Sequence, residues 1–156
     1  MFRLIVFLVS HGLAMGAGFA LGVYLLPILT APDAPSDAEI ASAASKAIYS
    51  AEFRKDLPGS DFLHWGAGKV SISARRISFS GEIAPGPDYR LYLTPRLALD
   101  EESFLAIKAD SAYVGDVKTF DNFIIELPEN VDLSAYKAVI VWCESFGEFI
   151  TAAEYR

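Results

Sequence analysis

Gly68-Lys-Val-Ser-Ile-Ser73, Arg76-Ile-Ser-Phe-Ser-Gly-Glu-Ile83 and Asp88-Tyr-Arg-Leu-Tyr-Leu-Thr94 follow one another almost without interruption, and each alternates apolar with polar side chains. A period of two is that of a strand with one face buried, because successive side chains of extended backbone point to opposite sides. Val70 and Ile72 then share a face, as do Ile77, Phe79 and Ile83, and as do Tyr89, Leu91 and Leu93. These sets are expected to line one core. The links between them read as turns. Ala84-Pro-Gly-Pro-Asp88 does so strongly, since proline fixes φ and glycine supplies positive φ.

Working outward, the same texture returns at Ala112-Tyr-Val-Gly-Asp-Val117, Asn122-Phe-Ile-Ile-Glu-Leu127, Ala138-Val-Ile-Val-Trp-Cys143 and Glu148-Phe-Ile-Thr-Ala-Ala153. Ala138 to Cys143 is apolar on both faces, as in a central strand covered on each side. Asp100 to Lys108 breaks the alternation, with Leu99, Phe104, Leu105 and Lys108 at helical spacing, and predicts one short helix with an acidic start. Seven or more short strands predict a mainly β fold, an antiparallel β-sandwich.

Ahead of the strands, Phe2 to Leu29 is almost wholly apolar. That exceeds the roughly 20 residues that cross a bilayer, so a transmembrane helix is expected. The alternative is a signal sequence. Signal sequences have shorter apolar cores, and Pro32 directly after Ala31 disfavours cleavage there. Arg3 precedes the segment and Asp33, Asp37 and Glu39 follow it, which by the positive-inside bias puts the N-terminus in the cytoplasm and the rest in the periplasm or outside the cell. Gly12 and Gly16, then Gly18 and Gly22, have the small-xxx-small spacing that lets two such helices approach, so a homodimer through this segment is a candidate. Thr30 to Ser36 reads as a flexible tether. Ser36, with Glu39 three residues on, reads as the capping box of a helix from about Asp37 to Ser50. The expected organisation is therefore an anchor over 1–29, a linker with a short helix over 30–59, and a β domain over 60–156.

The chain carries a net charge of −7, and all 20 acidic residues lie beyond Thr30. Such a domain repels phosphate backbones, and nucleic acid is excluded as a partner. Cys143 is the only cysteine. It cannot form an internal disulfide, so its use is packing, ligation or redox exchange. His64 is the only histidine beyond the apolar segment and could join Cys143 at a metal or haem, or in thiol chemistry, although a lone histidine is more often structural. Trp142, Phe146 and Phe149 could form an aromatic platform for a ligand or electron carrier, against the plainer expectation that they fill the core. Blue copper needs two histidines beside its cysteine, and c-type haem attachment needs Cys-x-x-Cys-His. Neither set is present. Both methionines lie in the apolar segment, so a haem would rest on His64 or Cys143.

The blocks Asp61-Phe-Leu-His-Trp-Gly-Ala-Gly68, Gly86-Pro-Asp-Tyr-Arg-Leu-Tyr-Leu93, Val114-Gly-Asp-Val117 and Val139-Ile-Val-Trp-Cys-Glu-Ser-Phe146 occur in this order. In combination they resemble the DM-thirteen electron-transfer domain family, over roughly Ser60 to Arg156. The resemblance implies an all-β domain outside the cytoplasm, sometimes joined to haem-binding DOMON and cytochrome b561 modules, with a cysteine proposed for redox work that Cys143 matches. No such module fits among these residues, so the electron partner is expected to be a separate redox or envelope protein. The function expected is a membrane-anchored electron-transfer or thiol-redox accessory domain acting through Cys143. The alternative is a non-redox module that docks an envelope protein or glycan, with the cysteine buried.

Overall fold

The structure, a computed structural model, describes residues 1–156. Its first element, α1 (Phe2–Thr30), is one uninterrupted helix with no buried residue. It is the single helix long and apolar enough to cross a membrane, with a mean hydropathy of 2.0 over its best window. No atom comes within 4 Å of where a Cβ would stand on Gly12, Gly16, Gly18 or Gly22, so α1 is open at each of these positions.

The β domain is two antiparallel four-stranded sheets. The first has the order β1-β2-β3-β6, built from β1 (Tyr49–Phe53), β2 (Gly66–Ile72), β3 (Arg76–Ile83) and β6 (Phe123–Glu126). The second has the order β5-β4-β7-β8, built from β4 (Tyr89–Thr94), β5 (Ala112–Val117), β7 (Ala138–Cys143) and β8 (Glu148–Glu154). The sets of alternate residues converge as the periodicity predicts. Val70, Ile72, Ile77, Phe79, Ile83, Tyr89, Leu91 and Leu93 all belong to one core between the sheets. Each fully buried large apolar side chain contributes about 1.5–3 kcal/mol to that closure.

Strand β7 lies between β4 and β8 and is buried at all six positions. The period of two divides it. Val139, Val141 and Cys143 enter the core between the sheets, whereas Ile140 and Trp142 enter a second cluster on the outer face with Tyr92, Phe104 and Phe149. That outer cluster is roofed by α3 (Glu101–Leu105) and the 3-10 turn Lys108–Asp110. The expected Asp100–Lys108 helix is thus divided, its α-helical part capped by Asp100 and Ser103.

Two expectations need correction. Helix α2 (Asp37–Ala44) starts with the predicted Ser36/Glu39 capping box but ends well short of Ser50. Tyr49–Phe53 is instead the edge strand β1, paired to β2 from Tyr49↔Ile72 to Phe53↔Gly68. The alanines and serines of this stretch suit a helix by propensity. Tertiary packing decides otherwise, because Phe53 is buried beside Phe79 and Tyr49 packs on Tyr155, with ring centroids 5.5 and 5.3 Å apart. Nor is the linker free throughout: the Asn122 side-chain amide donates to the Pro35 carbonyl (3.3 Å) and to the Asp37 carboxylate (3.1 Å).

Candidate functional site at the Cys143 end of the sandwich

Cys143 is the last residue of β7, opposite Tyr89 of β4 and Glu148 of β8. The chain must reverse here, and Glu144–Gly147 does so with Gly147 at φ 69°, the left-handed region that favours glycine. The incoming end of β4 is shaped by the Gly86-Pro87-Asp88 turn. Asp88 sits at φ 53° and accepts a hydrogen bond from the Ser145 hydroxyl at 2.8 Å, which ties the two turns together. The same turn supplies the partner of the thiol: Cys143 Sγ donates to the Pro87 carbonyl at 3.0 Å.

Cys143 is only 2% exposed. Burial pushes its pKa above the usual thiol value, and the neighbouring Asp88 carboxylate adds to this, while the backbone N–H groups of Phe146 and Ser145 pull the other way. At neutral pH the residue is therefore a thiol, the less nucleophilic form. It is nevertheless not sealed. A cavity of about 470 Å³ borders it, walled by His64, Pro87, Tyr89, Phe146 and, from α1, Phe19 and Tyr24.

His64 arrives from the loop between β1 and β2. Asp61 organises that loop, one carboxylate oxygen accepting from the backbone N–H groups of Leu63 and His64, both at 2.7 Å. Its other oxygen lies 3.0 Å from His64 Nδ1. These bonds override the opposing effect of partial burial and hold the Asp61 carboxyl below its usual pKa. The carboxylate orients the imidazole through Nδ1. His64 and Cys143 thus share a cavity, yet each bonds a different partner, Asp61 and Pro87. This is not the nucleophile–base pair of thiol catalysis.

The aromatic platform does not form as one surface. Phe146 is 51% exposed and lines the cavity. Trp142 is 1% exposed on the opposite face of β7, its ring 4.9 Å from that of Phe104, and Phe149 is fully buried there too. Strand alternation places consecutive residues on opposite faces, so Trp142 cannot accompany Cys143.

Beside Trp142 lies a polar group that sequence reasoning missed. Glu144 accepts from Lys108 Nζ at 2.8 Å and from the Tyr92 hydroxyl, and the Lys108 ammonium stands 5.4 Å from the Trp142 ring centroid. Burial raises the Tyr92 pKa to about 12, helped by Glu144. No spacing in the sequence announces this group, because its members come from β4, the 3-10 turn and the β7–β8 turn.

No group of three or more His, Cys, Asp or Glu side chains converges as a metal site would require. A thiolate-ligated haem would require the Cys143 sulfur to give up the proton it donates to the Pro87 carbonyl.

Two small antiparallel sheets closed face to face, with one cysteine ending a central strand beside a cavity, define a β-sandwich domain that follows one long apolar helix. The family model described as electron transfer DM13 matches residues 52–155, and the chain belongs to that family. A general electron-transfer role goes with that membership. No curated protein and no solved structure matches the chain.

Proposed function

We propose that the protein is a membrane-anchored electron-transfer domain, held outside the cytoplasm by α1, in which Cys143 is the redox-active group. The observation that carries this reading is the cavity, which gives an otherwise enclosed sulfur an approach. Arg3 ahead of α1 and the acidic residues behind it support an outward domain. With a disulfide partner, the thiol gives its proton to solvent and the sulfur attacks as thiolate. A bond forms between Cys143 Sγ and one partner sulfur, the partner disulfide breaks, and the second partner sulfur leaves as thiolate. The cavity walls restrict that partner to a small molecule or a slender loop of a separate redox protein.

The test is alkylation and redox titration of the full chain in lipid nanodiscs, beside Cys143→Ser. The native thiol is expected to react slowly at neutral pH and faster only as pH rises above the range of a free cysteine, because its pKa is raised. The redox signal is expected to vanish in Cys143→Ser. A signal unchanged by that substitution defeats the proposal. A second reading, an interaction module for an envelope protein or glycan, is favoured by the 2% exposure of Cys143. A thiol that resists every alkylating agent until the domain is denatured selects it.

A further inference from the structure

Helix α1 has 29 residues and so spans about 44 Å at 1.5 Å per residue. The hydrocarbon layer of a bilayer takes about 30 Å of that. If the helix enters the membrane at Phe2, its last turns exceed the apolar layer and stand among the headgroups. About 20 residues fill that layer, so it ends near Leu21, and the stretch of α1 from Phe19 to Thr30 that lies against the β domain straddles its boundary. Phe19, Ala20, Val23 and Tyr24 wall the cavity beside Cys143, while Leu26, Pro27 and Thr30 run along the Gly86–Tyr89 turn. The end of the sandwich that carries Cys143 is thus placed at the lipid surface by the length of its own anchor.

That end is dressed for such a position. Phe62 is 85% exposed, and Leu63 beside it and Phe146 across the cavity mouth are exposed as well. Large apolar side chains at loop tips cost solubility in water but gain free energy at a membrane interface. The linker preserves the placement, because Asn122 holds Pro35 and Asp37, leaving only the few residues after Thr30 unheld.

We infer that the cavity between α1 and the Cys143 end is a binding site for a lipophilic, hydroxyl-bearing ring that enters from the bilayer, of the hydroquinone class. This inference rests on the membrane-anchored reading above and names the molecule that reaches the site. Eight of its thirteen lining residues are hydrophobic, which suits a molecule that partitions into lipid. Phe19, Tyr24, Tyr89 and Phe146 offer ring faces. His64, its Nδ1 3.0 Å from the Asp61 carboxylate, is a polar ring in the cavity wall able to hydrogen-bond a ring hydroxyl. A plain acyl chain would use none of these polar features.

The experiment measures binding of decylubiquinol to the full chain in nanodiscs, followed by the ring resonances of His64 in NMR spectra. Saturable shifts of His64 at one ligand per protein are expected. Ala20→Phe, a change on an exposed helix position that fills the cavity without disturbing the β core, is expected to weaken binding at least tenfold, whereas Leu13→Phe, remote from the cavity, leaves it unchanged. Cys143→Ser is expected to retain binding, so loss of redox activity and loss of the ligand site read out separately. The inference is overturned if the shifts fail to saturate, if Ala20→Phe binds as well as the native chain, or if decanol of matching chain length competes equally. A native thiol that is redox-active without any decylubiquinol site overturns this inference alone and leaves the proposed function standing.

Discussion

Glu144 shows how much one side chain can be asked to do. It follows Cys143 in sequence, yet points to the opposite face of the sheet, where its carboxylate joins Lys108 and Tyr92. Its side chain is 17% exposed and that of Lys108 30%, so the pair is more than a surface contact. Burial works to raise the Glu144 pKa, but the bonds from Lys108 and Tyr92 prevail and hold it below the usual carboxylate value. The stabilisation is therefore present above the ordinary carboxylate pKa and is lost as pH falls through the lowered one. Lys108→Met should cost about 1–3 kcal/mol at neutral pH, the penalty of leaving an enclosed carboxylate short of a donor. Urea titrations at several pH values should show the gap between the two proteins closing in acid. A gap that stays constant with pH would assign the loss to packing of the lysine stem instead.

At the scale of elements, β2 and β3 owe their close approach to a facing pair of glycines. Gly68 and Gly81 are paired across the strands with φ of 146° and 158°. A Cβ on Gly81 would stand 2.2 Å from the Ala67 carbonyl oxygen. Gly81→Ala should therefore destabilise the domain by about 1–3 kcal/mol, as overpacking and backbone strain together do, with a lower urea midpoint at unchanged slope. The strands on either side of this pair were legible in the sequence because Val70, Ile72, Ile77 and Phe79 alternate with serines. Strand β1 was not, because Ser50 and Ala51 weaken the contrast between its faces and only burial of Phe53 betrays it. The capping box at Ser36 was legible since it is a local device, whereas the end of α2 depends on what Tyr49 meets in space. For the site, the sequence pointed to Cys143 and His64, and the fold brings both to one cavity. It could not foretell that α1 supplies a wall, because that contact joins segments far apart in the chain. Pairing Trp142 with Phe146 failed because Phe146 lies beyond the end of β7, in the Glu144–Gly147 turn, where the strand's alternation no longer sets the face.

For the molecule as a whole, the connection between α1 and the sandwich decides what the protein can reach. Asn122, just ahead of β6, spans to Pro35 and Asp37 and so fastens the linker to the sheet next to the one that bears Cys143. Asn122→Ala should raise amide hydrogen exchange across residues 33–38 while leaving the strands protected, with a change in global stability of no more than about 1–2 kcal/mol. Equal exchange in both proteins would show that the linker is held by other means.

On the anchored reading proposed above, this fastening shortens the free cord between α1 and the domain to the few residues after Thr30. A domain on a slack cord sweeps a hemisphere and can greet carriers arriving from any direction, whereas one clasped so near the bilayer travels only by lateral drift of the whole protein. If α1 crosses a bilayer as proposed, encounters are governed by two-dimensional diffusion, and their rate should scale with the surface density of a lipid-borne partner, not with its concentration in the surrounding water.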